Sequence, residues 1–306
     1  MTLTQIAKMT EDEARAYLEG IRWPEGITCP HCESARVTRL QGEAHRPGTI
    51  QCNDCHGQFT ATVGSVMESS HIPLTKWLMA FHLLCSSKKG ISSLQLQREL
   101  ELGSYRTALF MTHRIREAMS GDDAVLCGTV EADETYVGGK PRPHDGKVHP
   151  RGRGTTKTPV ALVVARNGES TARVVPRTDG KTLKAFVCEN VDPTATLITD
   201  EYGAYYGIGK SFAGHEVINH NSGQYSRREN GRSINTNTAE SWFALLKRGH
   251  YGVYHSMSKK HLGRYCDEFS FRWDHRDDTD GERTEAAIAG AKGKRLTWKD
   301  MVGNAE

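Results

Sequence analysis

Residues 127–139 read CGTVEADETYVGG, a strand-forming run with acids at Glu131, Asp133 and Glu134. Alternation along a strand places Glu131 and Asp133 on one face and Glu134 on the other. The stretches downstream have the same texture: TPVALVVAR (158–166), TARVVP (171–176) and, after a helical KTLKAFVCENV (181–191), TATLITD (194–200). Strands interleaved with a helix predict a mixed sheet with flanking helices. Asp200 closes the apolar TATLIT run, and the C-terminal end of a buried strand is where such sheets carry functional groups. A turn-forming aspartate is the plain alternative there.

Glu240 opens ESWFALLKRG (240–249), which has helical periodicity. At about 100° per residue, Trp242, Leu245 and Leu246 gather on one side. Glu240 and Lys247 share the opposite side to within about 20°, so the helix can pack on a sheet and still present both to a cleft. Three carboxylates from two strands and a helix suit two hard divalent cations, which take oxygen ligands and keep positions open for water and phosphate. Such a pair, about 3.5 to 4 Å apart, serves an in-line displacement at phosphorus without a protein nucleophile.

Upstream, Cys29-Pro-His-Cys32 and Cys52-Asn-Asp-Cys55 form two C-x2-C knuckles separated by nineteen residues, a spacing that predicts a structural four-thiolate zinc site. The surrounding segment is too polar to build its own core, and metal binding would supply the missing folding energy. Paired disulfides are the alternative, which a reducing compartment disfavours. His31, His45 and His56 lie nearby, but four cysteines already complete a tetrahedron. Cys85, Cys127, Cys188 and Cys266 stand alone and read as buried spectators.

Between the ribbon and the sheet, KWLMAFHLLC, SSLQLQREL and YRTALFMTHRIREAM (within 73–119) read as helices joined by short turns, a helix-turn-helix-like arrangement. On its last helix Arg106, Thr107, His113 and Arg114 are candidates to reach DNA.

The chain is long enough for more than one domain at 306 residues, and its net charge of +3 does not by itself announce a nucleic-acid partner. The distribution does. From Ala244 to Arg264 there are five basic side chains (Lys247, Arg248, Lys259, Lys260, Arg264) and no acid, whereas Gly121 to Lys140 carries five carboxylates and one lysine. The stretch 138–158, rich in Gly, Pro and basic residues, reads as a basic hairpin or loop that orders on DNA. The N-terminus lacks the basic and apolar regions of a secretory signal; Thr10-Glu-Asp-Glu13 reads instead as a capping box. The apolar run Trp77–Cys85 is too short to cross a bilayer, so a cytoplasmic protein with no membrane partner is expected.

The strings VEADETYVGGK, LITDEYGAY and NTAESWFALLKRGHYGVYH, followed by KKHLGRYCDEFSFRWDHR, resemble the catalytic core of ISXO-like insertion-sequence transposases. This is a DDE group with an N-terminal zinc ribbon, and the resemblance runs from about Asp12 to Met301. It implies a multidomain α+β/α/β protein whose core is ribonuclease-H-like. The boundaries implied are an N-terminal helix (1–25), zinc ribbon (26–70), helical DNA-binding module (71–120), core (121–280) and C-terminal helical tail (281–306). The family pattern selects Asp133, Asp200 and Glu240 as catalytic ligands of two Mg²⁺ or Mn²⁺ ions, and implies terminal inverted repeats and target DNA as partners. A homodimer or larger assembly would join two ends in the bacterial, nucleoid-associated cytoplasm. Lys247, Arg248, Lys259 and Lys260 join Arg106 and Arg114 as expected DNA contacts. Two other readings stay open: a nuclease of the same fold without strand transfer, and a non-enzymatic DNA-binding regulator derived from a transposase.

Overall fold

The computed structural model describes residues 1–121, 125–139, 155–166, 168–229 and 231–303; most of the expected basic loop, residues 140–154, lies outside them. The chain divides into two compact units, Met1–Ser120 with Asp277–Glu306, and Gly121–Arg276.

The first unit opens with α1 (Leu3–Ala7) and α2 (Glu11–Arg22), each started by a capping box, Thr2 with Gln5 and Thr10 with Glu13. A single N-terminal helix was expected; the second capping box at Thr10 restarts the chain instead. A small antiparallel sheet follows, β1 (Val37–Arg39), β2 (Ile50–Cys52) and β3 (Gln58–Phe59). Next come α3 (Leu74–Ser86), α4 (Ser93–Glu99) and α5 (Tyr105–Met119), the last two N-capped by Ser92 and Ser104. Helix α3 is buried on most sides through Trp77, Leu78, Phe81, His82, Leu84 and Cys85, so it needs cover from several directions.

The second unit is built on a five-stranded sheet of order β6-β5-β4-β7-β8. Strands β4 (Thr129–Val137), β5 (Thr158–Ala165) and β6 (Ser170–Val174) run antiparallel to one another in turn. Helix α6 (Gly180–Asn190) then carries the chain across to β7 (Thr196–Asp200) and β8 (Gly214–Ile218), both paired in parallel. Alternation divides the apolar residues between the faces. Val130, Ala132, Ala161, Val163 and Leu197 pack with Leu183, Phe186 and Val187 of α6. Val137, Val160, Leu162 and Val164 pack instead with α7 (Asn237–Gly249) and α8 (Leu262–Asp274) through Trp242, Phe243, Leu246, Tyr265 and Phe269. Between β8 and α7 lies a hairpin, β9 (Arg227–Glu229) with β10 (Arg232–Ile234), whose Ile234 joins Ile198 and Ile218 in a small core of its own.

The chain then returns to the first unit through α9 (Asp280–Ala289) and α10 (Trp298–Val302). Read as a separate tail in the sequence, these helices are part of the cover that α3 requires: α9 packs on α3, where His82 Nδ1 lies 3.1 Å from Thr284 Oγ1. Among the described residues no helix is long and apolar enough to cross a membrane.

Candidate metal centres

In the first unit, the sulfur atoms of Cys29, Cys32, Cys52 and Cys55 all lie within 4.8 Å of one another. The Cys29–Cys55 and Cys32–Cys52 separations are 3.7 and 3.5 Å. Thiolates bound at about 2.3 Å to a tetrahedral zinc stand about 3.8 Å apart, so the set fits that ion and is too open for disulfides. The two knuckles are built alike. The Cys29 N–H donates to the Ser34 carbonyl and Glu33 N–H to the Cys29 carbonyl; Cys52 N–H donates to Gly57 and His56 N–H to Cys52. In both, the residue after the second cysteine turns left-handed, Glu33 at φ 61° and His56 at φ 60°. A Cβ on Gly57 would stand 2.9 Å from the His31 ring, so the knuckles approach closely at that glycine. The backbone N–H of Cys55 draws the Cys52 thiol down to about 7 while Cys32 and Cys55 are pushed up, so without a cation the set favours one thiolate and a bound ion is needed to hold four.

In the second unit, β4 and β7 pair in parallel with Val130 beside Leu197 and Glu131 beside Ile198. Continuing that register two residues further sets Asp133 level with Asp200, side chains on one face of the sheet. It is the face on which α7 packs. Asp133 is pushed up to about 8 by burial, then by the negative charges of Glu134, Asp200 and Glu240, against a hydrogen bond from the Glu134 N–H. Asp133 on its strand therefore senses both other predicted acids, Asp200 at a strand end and Glu240 on a helix. They converge more loosely than the cysteines, which among the described residues are the one group of three or more such side chains close enough for a single ion. Glu240 leaves 53 % of its side chain exposed.

The neighbouring acids are engaged elsewhere. Glu131 is fully buried: Oε2 accepts the backbone N–H groups of Thr238 (2.8 Å) and Ala239 (3.0 Å), and Oε1 accepts the Thr238 hydroxyl and Arg166 Nε. With both oxygens occupied by donors, it has no electron pair free for a cation. Glu134 faces the opposite side, where its Oε2 accepts the Tyr205 hydroxyl at 3.0 Å. Glu201, next to Asp200, accepts the N–H groups of His220 and Asn221.

Helix α7 buries Trp242 and Leu246 and leaves Glu240 and Lys247 exposed, as its periodicity predicts; Ala239 and Phe243 are buried beside them, Leu245 is half-buried and Arg248 is exposed. Burial pulls the Lys247 ammonium down while the Asp133 carboxylate holds it up, which places that cation within electrostatic reach of the acids. Lys259 and Lys260 are also exposed. In the first unit, Arg106 is exposed with its guanidinium 3.9 Å over the Trp298 ring.

Arg114 requires a correction. It is buried under the Trp77 and Phe110 rings, its Nη2 donates to the Glu68 carbonyl, and burial pulls it down to about 10. The α5 face that carries it packs inward, so this side chain is not presented to DNA. His113 is buried with it, and Thr107 serves the Ser104 cap.

Sequence reasoning passed over Arg166 and His220. Arg166 ties Glu131 to the carbonyls of Ser233 and Asn235, and His220 Nδ1 lies 4.0 Å from Glu240 Oε1. The signal for the last was a histidine in the linker between two acidic blocks, a ligand type in ligand company.

Two family models match the chain, one in each unit. Residues 125–274 match the model of the ISXO2-like transposase domain, and residues 9–58 match that of the transposase zinc-ribbon domain. An uncharacterized protein in transposable element ISH50 of Halobacterium salinarum is 30 % identical over 278 residues, spanning 86 % of this chain and 91 % of that protein.

Proposed function

The chain belongs to the ISXO2-like transposases, and we propose that it binds the terminal inverted repeats of an insertion sequence, cleaves the DNA at their ends and joins the freed 3′-OH to target DNA. The sheet order with three antiparallel strands followed by two parallel ones supports a ribonuclease-H-like core. The observation that carries the proposal is the parallel pairing of β4 with β7, whose register carried two residues on brings Asp133 level with Asp200, with Asp200 and Glu240 acting electrostatically on Asp133.

An oxygen donor set in which burial first, and then the charges of the neighbouring acids, raise Asp133 to about 8 fits divalent cations, because a bound positive charge offsets both. Two Mg²⁺ or Mn²⁺ ions held there would activate the attacking oxygen and neutralise the leaving one. In the cleavage step water forms the new bond to phosphorus, the bond to the 3′ oxygen breaks, and that oxygen leaves as a 3′-OH. In the joining step the 3′-OH forms the bond and a target 3′ oxygen leaves, so no external energy source is needed. Asp133, Asp200 and Glu240 hold the reacting phosphate's counter-charge in place. Lys247 and Arg248, next to them on α7, neutralise the strand above; Lys259 and Lys260 extend that basic surface.

The ribbon and the α3–α5 helices supply contacts to the ends, and two ends brought together require a homodimer or larger assembly acting on DNA in the cytoplasm. A strand-cleavage assay on DNA carrying the flanking repeats tests the reading, with Glu240→Gln beside wild type. Cleavage by wild type alone is expected; equal cleavage by both overturns the metal-site assignment.

A further inference from the structure

His220 is held by more contacts than a linker residue needs. Its backbone N–H donates to Glu201 Oε2 at 2.8 Å, which anchors the turn His220–Ser222 directly beside Asp200. Its Nε2 lies 3.3 Å from the hydroxyl of Thr236, a buried residue at the N-cap of α7, and its ring meets Tyr225 edge-on at 5.6 Å. The strand end thus holds the backbone of His220 and the helix start meets its imidazole, through Thr236, four residues before Glu240.

In the tautomer whose Nε2–H donates to the Thr236 hydroxyl, Nδ1 carries the electron pair, and what it faces is Glu240 Oε1 at 4.0 Å. That distance is too long for a hydrogen bond. Two electron-pair donors aimed at each other repel unless a positive charge stands between them. Ligands bound at about 2.1 Å to one octahedral ion stand about 3 Å apart when adjacent and about 4.2 Å when opposite, and the observed spacing is close to the second. The Thr236 contact also matches the arrangement of a metal-bound histidine, whose second nitrogen is ordinarily held by an outer hydrogen bond that fixes the tautomer.

We propose that His220 is a nitrogen ligand of the cation held by Glu240, giving that position a mixed imidazole and carboxylate set that suits Mn²⁺ better than Mg²⁺. This inference rests on the carboxylate reading above, and the experiment separates the two. The probe is Mn²⁺ alone, added to the full-length protein and followed by pulsed electron paramagnetic resonance, which detects nitrogen bound to the ion. Wild type is expected to show nitrogen coupling whose pattern changes when the histidines carry ¹⁵N. His220→Gln and His220→Ala are expected to lose the coupling and to weaken Mn²⁺ binding about tenfold or more, with unchanged circular dichroism. Either variant suffices if the other fails to fold. Bound Mn²⁺ without nitrogen coupling, or coupling that survives the loss of His220, overturns the proposal and leaves the carboxylate site standing. Failure of wild type to bind Mn²⁺ at all overturns both.

Discussion

Glu131 accepts the backbone N–H groups of Thr238 and Ala239 in the first turn of α7, so the strand that carries Asp133 directly holds the start of the helix that carries Glu240. The contact uses an anion at a helix N-terminus, where backbone donors lack partners within the helix. Arg166 balances the charge and ties in the end of the β9–β10 hairpin through Ser233 and Asn235. Glu131→Gln is expected to destabilise the protein by about 2–4 kcal/mol, because the amide cannot accept at both oxygens and Arg166 loses its counter-ion. Arg166 is 30 % exposed, which keeps the figure below that of a fully buried pair. Glu134→Gln keeps an oxygen that can accept the Tyr205 hydroxyl, exchanges a charged acceptor for a neutral one and should cost about 1 kcal/mol or less. Urea unfolding of both variants checks the order; equal losses would show that Glu131 is not the anchor.

Asp133 gives the metal-free protein a pH dependence of definite sign. Its folded value of about 8 lies above its unfolded value near 3.9, so between them the folded chain holds a proton that the unfolded chain has released. Its contribution to stability is present below about pH 4 and lost as pH rises through about 8. Without added Mg²⁺ or Mn²⁺, stability should fall over this window, and Asp133→Asn should flatten the fall. Asp274, pushed up to about 7 chiefly by burial, contributes in the same direction in both proteins. Mn²⁺ binding at pH 7 should release close to one proton, measurable by calorimetry in buffers of different ionisation heat. Identical pH profiles for wild type and Asp133→Asn would refute the raised value.

Much of the arrangement was open to reading because it is local. The cysteine spacing, the Thr10 capping box, the polar face of α7 and the strand end at Asp200 depend on residues within a turn or a knuckle of each other. What stayed hidden depends on pairing across long separations. No local pattern says that β4 pairs in parallel with β7, and that register is what makes Asp133 level with Asp200. Nor does it say that Glu131 will meet a helix start more than a hundred residues away. Arg114 was misread because basic residues on an amphipathic helix are taken as surface, and only the aromatic shelf of Trp77 and Phe110 shows otherwise. The β9–β10 hairpin was within reach, since Asn230-Gly231 between two short runs is a strong hairpin signal.

The ribbon should carry one zinc ion per chain, bound through Cys29, Cys32, Cys52 and Cys55. Cys52 lies on β2 and is buried, so Cys52→Ala should release the metal and unfold the small sheet with it. Elemental analysis reads the first effect, and loss of protection against proteolysis across residues 29–59 reads the second. Retention of stoichiometric zinc by this variant would exclude the four-thiolate site.

Arg248 and Arg114 should respond in opposite ways to truncation. Arg248 is exposed on α7, free to follow a DNA strand, and a phosphate contact there releases about one counter-ion. Arg248→Ala is therefore expected to weaken binding to repeat-end DNA and to lower the slope of log affinity against log salt by about one, with little change in unfolding. Arg114 is buried between Trp77 and Phe110 and donates to the Glu68 carbonyl. Arg114→Ala should cost about 2–3 kcal/mol of stability through lost packing and an unsatisfied carbonyl. Its salt slope should match wild type wherever the variant remains folded. A reduced slope for Arg114→Ala at full folding would return that residue to the DNA surface and contradict the inward face of α5.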